Sequence, residues 1–290
     1  MPPFDPFTTL CLADLDGTLL SPSAELSGES AALLNRYIAS GGHFSISTGR
    51  SPATVFAILK NLDLRLPLSL MNGVLVYDPV KKIYLKAERL AEETALQVLS
   101  LFREAGIDPV MFEITGGRFL PWYESMREEL LWGYAGERIR KYGKKFFKTP
   151  DFTLPLRENH GAVYFVTRAM LDSLRPLAEK MRKIPGVRCE CYRDVYVEGP
   201  GYLEVFSDRA SKKEGALLIK ESSGLSSVAA FGDNLNDLPL LEAADHRYAV
   251  ANAVEEVRAA ADRVIPSNRE DGVARFLLES FPALFSRSQP

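Results

Sequence analysis

Leu12-Ala13-Asp14-Leu15-Asp16-Gly17-Thr18-Leu19-Leu20 decides how the rest of the chain reads. The apolar run from Thr9 to Ala13 predicts a short strand, and it ends in two carboxylates two residues apart. Side chains alternate faces along a strand, so Asp14 and Asp16 can face the same way. Gly17 lets the chain turn sharply just past them. Two acids at a strand's carboxyl end cost stability and serve chemistry. One could attack while the other moves protons, provided a cation offsets their repulsion.

Working outward, strand-like and helix-like segments alternate. Residues 27–40 carry Ala31, Leu34 and Ile38 at helical spacing and stop at Gly41-Gly42. Residues 43–47 predict a second strand, followed by Thr48-Gly49-Arg50, and residues 52–62 a helix with proline in its first turn. Residues 68–71 predict a third strand, ending at Asn72-Gly73. Short links in this order mean parallel pairing and an α/β sheet. Ligands of such sheets sit beyond the carboxyl ends of the strands, where Asp14, Thr48 and Asn72 fall.

The middle of the chain differs. Residues 90–105 predict an amphipathic helix, and residues 111–122 a hairpin turning at Gly116-Gly117. Residues 161–167, 169–183 and 188–192 predict strand, helix and strand. Alternation then resumes with a strand at 202–206, a helix at 213–222 and a strand at 227–231 before Gly232-Asp233. The expected architecture is a parallel-sheet α/β domain, residues 1–85 and 198–290, interrupted by an inserted α+β domain at 86–197.

Composition narrows the function. The chain has 290 residues, 46% hydrophobic and 25% charged, enough to bury a sizeable core. A net charge of -3 argues against a nucleic-acid binder. The N-terminal residues lack a secretory pattern, and no apolar run reaches membrane-spanning length, so no membrane association and a cytoplasmic location are expected. Cys11, Cys189 and Cys191 are too few for a disulfide framework and read as thiols. The basic stretch 138–148 reads as a solvated face or an attractor of anionic substrate. His43, His160 and His246 have no partner pattern.

Four segments carry the chemistry. Asp14 and Asp16 form the first. Thr48, Gly49 and Arg50 form the second, with a hydroxyl and backbone amides at a helix start suited to a phosphate oxygen. Ser211-Lys212-Lys213 opens a later helix and offers a cation. Gly232-Asp233-Asn234-Leu235-Asn236-Asp237 brings two more acids. Acids, a lysine and a hydroxyl describe a site for a hard cation and a phosphate, and all-oxygen ligands suit Mg²⁺.

With these motifs the chain resembles the haloacid dehalogenase superfamily, in particular Cof-type phosphatases with a class IIB cap. Asp14–Leu19 matches DxDGT[LI], Thr48 sits in an STGR setting, and Gly232–Asp237 matches GDxxND. Asn72-Gly73, Ala251-Asn252-Ala253 and Glu270-Asp271-Gly272-Val273-Ala274 match subfamily elements. The resemblance implies a Rossmann-like core, an inserted cap that selects substrate, and Mg²⁺. It implies hydrolysis of phosphate monoesters of small metabolites, with sugar phosphates favoured, through an aspartyl-phosphate. Asp14 would be the nucleophile and Asp16 the general acid and base. Asp14, Asp233 and the Asp16 carbonyl would hold the metal, with Asp237 behind them. Thr48, Lys212, Asn236 and the amides of Leu15 and Gly49 would hold the phosphate. Lys212 fits the motif better than Lys213, because Ala216 and Ile219 follow it at helical spacing. Arg50 could reach substrate or form a structural ion pair, and Asn72 is a further substrate candidate. Arg118, Trp122, Tyr123, Tyr192 and Arg193 are leaving-group candidates by type. A phosphotransferase or phosphomutase on the same intermediate, or a non-catalytic phosphometabolite sensor, are the alternatives. Oligomeric state is not legible.

Overall fold

The computed structural model describes residues 3–194 and 197–286. The chain divides into two units, Met1–Lys86 with Ser211–Pro290, and Ala87–Ala210. Among the described residues, no helix is long and apolar enough to cross a membrane.

The first unit is built on a five-stranded parallel sheet. Its order is Arg263–Ile265, His246–Val250, Ser227–Gly232, Thr9–Ala13, His43–Ile46. All five residues of Thr9–Ala13 are buried. That explains an unbroken apolar run, since a parallel strand covered on both faces has no solvent side to alternate with. Parallel pairing puts every carboxyl end on one edge, and the loops after Ala13, Ile46 and Gly232 open there. Helix Gly28–Ala39 starts where the Ser27 hydroxyl accepts from the Ser30 amide at 2.9 Å.

One expectation changes here. Leu68–Leu70 is not a full strand of the parallel sheet. It pairs antiparallel with Leu75–Asp78 in a three-stranded sheet completed by Ile83–Ala87, and touches the parallel sheet through a Ser47–Ser69 bridge. Met71, Asn72 and Gly73 all have positive φ (52°, 56° and 85°), which turns the chain back too soon for a helical crossover.

The second unit holds a six-stranded sheet. Its order is Val187–Arg193, Pro200–Ser207, Tyr164–Met170, Val110–Thr115, Arg118–Tyr123, Phe147–Lys148. The pairings are antiparallel except the last. Met111, Phe165, Leu203, Val205 and Cys189 share a buried cluster with Val98 and Phe102 of helix Glu92–Ala105 and with Leu174 and Leu177 of helix Leu171–Met181. The strand expected to return the chain to the parallel sheet, at 202–206, lies in this second sheet instead. It pairs with Val187–Arg193 on one side and Tyr164–Met170 on the other, so the boundary falls at Ala210/Ser211 rather than at residue 198. The basic stretch is also not uniformly solvated. Lys144 is buried, with its ammonium 4.5 Å from the centre of the Phe112 ring.

Candidate active site

Asp14 is the first residue past strand Thr9–Ala13. Its amide continues the ladder by donating to the Phe231 carbonyl at 3.0 Å, and its carboxyl is buried. The chain then turns tightly over Leu15–Leu19, with Gly17 at φ 78°, and closes where the Leu20 amide donates to the Leu15 carbonyl at 2.8 Å. Only glycine fits at 17. A Cβ there would lie 2.2 Å from Asp233 Oδ2, in a backbone conformation that side chains disfavour. The missing side chain lets the loop after Ser227–Gly232 approach, and the Thr18 hydroxyl donates to Asp233 Oδ1 at 2.9 Å.

Lys212 is the first residue of helix Lys212–Ser222, capped where the Glu214 amide donates to the Ser211 hydroxyl at 3.1 Å. Gly73 sets its place: a Cβ there would fall 1.9 Å from the Ser211 carbonyl oxygen, so the turn presses directly on the helix start. The buried Lys212 ammonium donates to Asp14 Oδ1 at 2.7 Å and to Asp237 Oδ1 at 2.5 Å. Asp237 Oδ2 accepts from the amides of Asp233 and Asn234 at 2.9 and 3.1 Å. Both oxygens of Asp237 are therefore engaged in holding the loop and the lysine. Lys213 instead pairs with Glu242 in solvent at 2.6 Å.

The electrostatics are unbalanced. Asp14, Asp233 and Asp237 place carboxylate oxygens within 4.8 Å of one another, with one ammonium among them. Burial holds the Asp14 carboxyl well above the usual carboxylate range, against the pull of Lys212 and with a further push from Asp237. Burial and Asp237 push Asp233 up to about 7. Burial works against the Lys212 charge, but Asp14 and Asp237 outweigh it and hold the ammonium above its ordinary range. Crowded acids of this kind are short of positive charge, and their donor set is all oxygen, which fits a hard divalent cation.

The structure places the other sequence candidates as follows. Thr48 is buried, its amide donating to the Ser69 carbonyl at 2.9 Å and its carbonyl accepting from the Asn72 amide at 3.0 Å. Gly49 leaves room for Asn72, whose Oδ1 would lie 3.1 Å from a Cβ there. Leu15 is buried, while Asn236 is exposed in the short turn Leu235–Asp237. Asp16 is half-exposed and gripped by Arg50 through Nε to Oδ2 at 2.6 Å and Nη2 to Oδ1 at 2.5 Å. Arg118, Trp122, Tyr123, Tyr192 and Arg193 all belong to the second unit, where Tyr192 stacks on Tyr202 with ring centres 5.6 Å apart.

Sequence reasoning missed the residues that brace the turn. Asn252 Nδ2 donates to the Gly17 carbonyl at 2.7 Å, and its Oδ1 accepts from the Asn268 amide at 3.0 Å. Asn268 Nδ2 donates in turn to the Leu20 carbonyl at 2.8 Å. Asp271 Oδ1 accepts from the hydroxyls of Ser27 and Ser30 at 2.5 and 2.7 Å. These late motif elements were visible as motifs, but no local pattern says that they reach across to residues 17–30.

The chain matches the profile of the haloacid dehalogenase-like hydrolases over residues 11–277. It belongs to that family. It is 28% identical to pyridoxal phosphate phosphatase YbhA of Escherichia coli, over 93% of this chain and 97% of the relative. It is 26% identical to 5-amino-6-(5-phospho-D-ribitylamino)uracil phosphatase YitU of Bacillus subtilis, over 94% and 97%. The fold superposes on a haloacid dehalogenase-like hydrolase of Bacteroides thetaiotaomicron with a TM-score of 0.78 at 21% identity, covering 93% of this chain and 98% of the other. A Thermotoga maritima protein gives 0.76 at 21% identity, covering 97% and 98%. Family and relatives together make this member of the haloacid dehalogenase-like hydrolases a phosphoric monoester hydrolase.

Proposed function

We propose that this hydrolase cleaves phosphate monoesters of small metabolites, with sugar phosphates favoured, in two steps through an aspartyl-phosphate on Asp14. The observation that carries the reading is the buried Asp14 carboxyl on the sheet's carboxyl edge, paired with Lys212 at 2.7 Å and crowded by Asp233 and Asp237. Lys212 orients Asp14 through Oδ1, which leaves Oδ2 to attack phosphorus in line. Thr48, Lys212, Asn236 and the amides of Leu15 and Gly49 supply donors for the non-bridging oxygens, the positioning on which phosphoryl transfer relies. Asp16 carries the proton to the leaving oxygen and takes one from the attacking water.

Asp14, Asp233 and the Asp16 carbonyl fit Mg²⁺, since Asp237 already spends both oxygens on Lys212 and the backbone. When bound, the ion supplies the positive charge that lets a carboxylate and a phosphate dianion approach. The second unit takes the role of the substrate-selecting cap.

Phosphate release from p-nitrophenyl phosphate, with and without Mg²⁺, tests the reaction, and a panel of phosphorylated sugars, nucleotides and cofactors ranked by kcat/KM tests the substrate class. Full rates in excess chelator would remove the metal from the scheme. No release from any ester would remove the phosphatase.

A further inference from the structure

We propose that Arg50 is a positioning residue for Asp16, holding the proton-carrying carboxyl in one orientation from the phosphate-binding loop; this rests on the phosphatase reading above. Asp16 sits on a turn with its side chain 51% exposed, where an aspartate has several rotamers open to it. The Arg50 side chain is only 19% exposed. The arginine is therefore the anchor and the aspartate the group that is held. Its planar fork meets both carboxyl oxygens, at 2.6 and 2.5 Å, a geometry that a guanidinium matches and an ammonium does not.

Arg50 is itself fixed by its backbone. Its amide donates to the Thr48 hydroxyl at 3.2 Å, and its carbonyl accepts from the Met71 amide at 3.2 Å. The fork thus ties the turn after strand Thr9–Ala13 to the loop after strand His43–Ile46. From the other side, Asn252 grips the Gly17 carbonyl. Asp16 is pinned through its own carboxyl, and the turn is held through the carbonyl of the next residue, Gly17. Two of the five Arg50 N–H donors meet the Asp16 carboxylate, which makes the acid the partner of this fork.

The chemistry explains why orientation matters here. In the first step the Asp16 carboxylic acid gives its proton to the ester oxygen as that P–O bond breaks and the Asp14–phosphorus bond forms. In the second, water oxygen bonds to phosphorus and its proton passes to the Asp16 carboxylate. The Asp14–phosphorus bond breaks with its electrons returning to Asp14, and phosphate leaves. One proton leaves Asp16 and one returns.

A series of aryl phosphates separates positioning from a structural role. Wild type, Arg50→Ala and Arg50→Lys are compared on 2,4-dinitrophenyl, p-nitrophenyl and phenyl phosphate with Mg²⁺ present. For Arg50→Ala, kcat/KM should fall about 100-fold on phenyl phosphate, whose poor leaving oxygen gains most from a proton, and less than about 3-fold on the dinitrophenyl ester. Arg50→Lys, a single point donor, should fall between. Asp16→Asn should steepen the same plot. An equal loss on every ester, or a raised KM with kcat intact, would make Arg50 a phosphate-binding or fold residue and overturn the proposal. If Asp16→Asn leaves the slope unchanged while Asp14→Asn is inactive, Asp16 is not the proton carrier; the proposal then fails and the phosphatase reading stands. If wild type releases phosphate from none of the esters, the phosphatase reading fails, and this proposal with it. Should Arg50→Ala melt early, Arg50→Gln carries the comparison.

Discussion

The Lys212 ammonium is bonded to two buried carboxylates, and its removal has two consequences. Lys212→Met should cost about 3–5 kcal/mol in urea unfolding, because Asp14 and Asp237 are left charged and uncompensated. It should also abolish turnover. Asp14→Asn behaves differently. The amide oxygen still accepts from Lys212, so the fold should hold while turnover falls by more than about 1,000-fold, measured as phosphate release. The sequence left two lysines available at this position, and helix spacing favoured Lys212. Geometry separates them, since Lys213 lies in solvent against Glu242. The sequence left Arg50 open between substrate and an ion pair, and Asp16 was not legible as the partner, because the two residues belong to different loops and meet only when neighbouring strands pair.

At the scale of elements, the misplaced strand is instructive. Residues 202–206 are strand-like in any sheet, and which sheet they join depends on long-range pairing rather than propensity. The clue lay in the pattern. Strands Thr9–Ala13 and Ser227–Gly232 are nearly continuous apolar runs, as a sheet covered on both faces requires. Pro200–Ser207 alternates Leu203 and Val205 with Tyr202 and Glu204, the mark of an antiparallel strand with one apolar face. The braces behind the Leu15–Leu19 turn belong to this scale too. Asn252→Ala removes hydrogen bonds to Gly17 and Asn268, which should cost roughly 1–2 kcal/mol. If the brace aligns the turn, kcat should drop while KM stays close to wild type, as steady-state kinetics on p-nitrophenyl phosphate would show.

At the scale of the whole molecule, stability should answer to both metal and pH. Mg²⁺ at about 100 times its Kd should add about 2.7 kcal/mol, and Asp233→Asn should remove most of that gain in a thermal melt. Binding near pH 7 should release protons, because Asp233, raised to about 7, must ionise to take the ion. Calorimetry in buffers of different ionisation enthalpy would count them. A second pH effect comes from the other unit. Burial pushes Glu204 up from 4.5 to about 7, and Glu190 directly across the strand pair adds to the shift, while the Tyr164 hydroxyl opposes it. A raised acid binds more protons folded than unfolded. Its contribution is therefore full below pH 4.5 and is lost as pH rises towards 7. Glu204→Gln should flatten that fall, on the order of 1 kcal/mol, in melts taken from pH 5 to pH 8.

The sheet order also dictates when a newly made chain can become active. Strand Thr9–Ala13 leads into Asp14, the proposed nucleophile, and is made long before one of its two neighbours, Ser227–Gly232. Between them the ribosome must deliver the contiguous unit Ala87–Ala210. Lys212, Asp233 and the braces at Asn252 and Asn268 come later still. Until then Asp14 ends a strand with an open edge and has no lysine to hold it. On the proposed assignment, the nascent chain gains a complete site only once residues as far as Asn268 have been made.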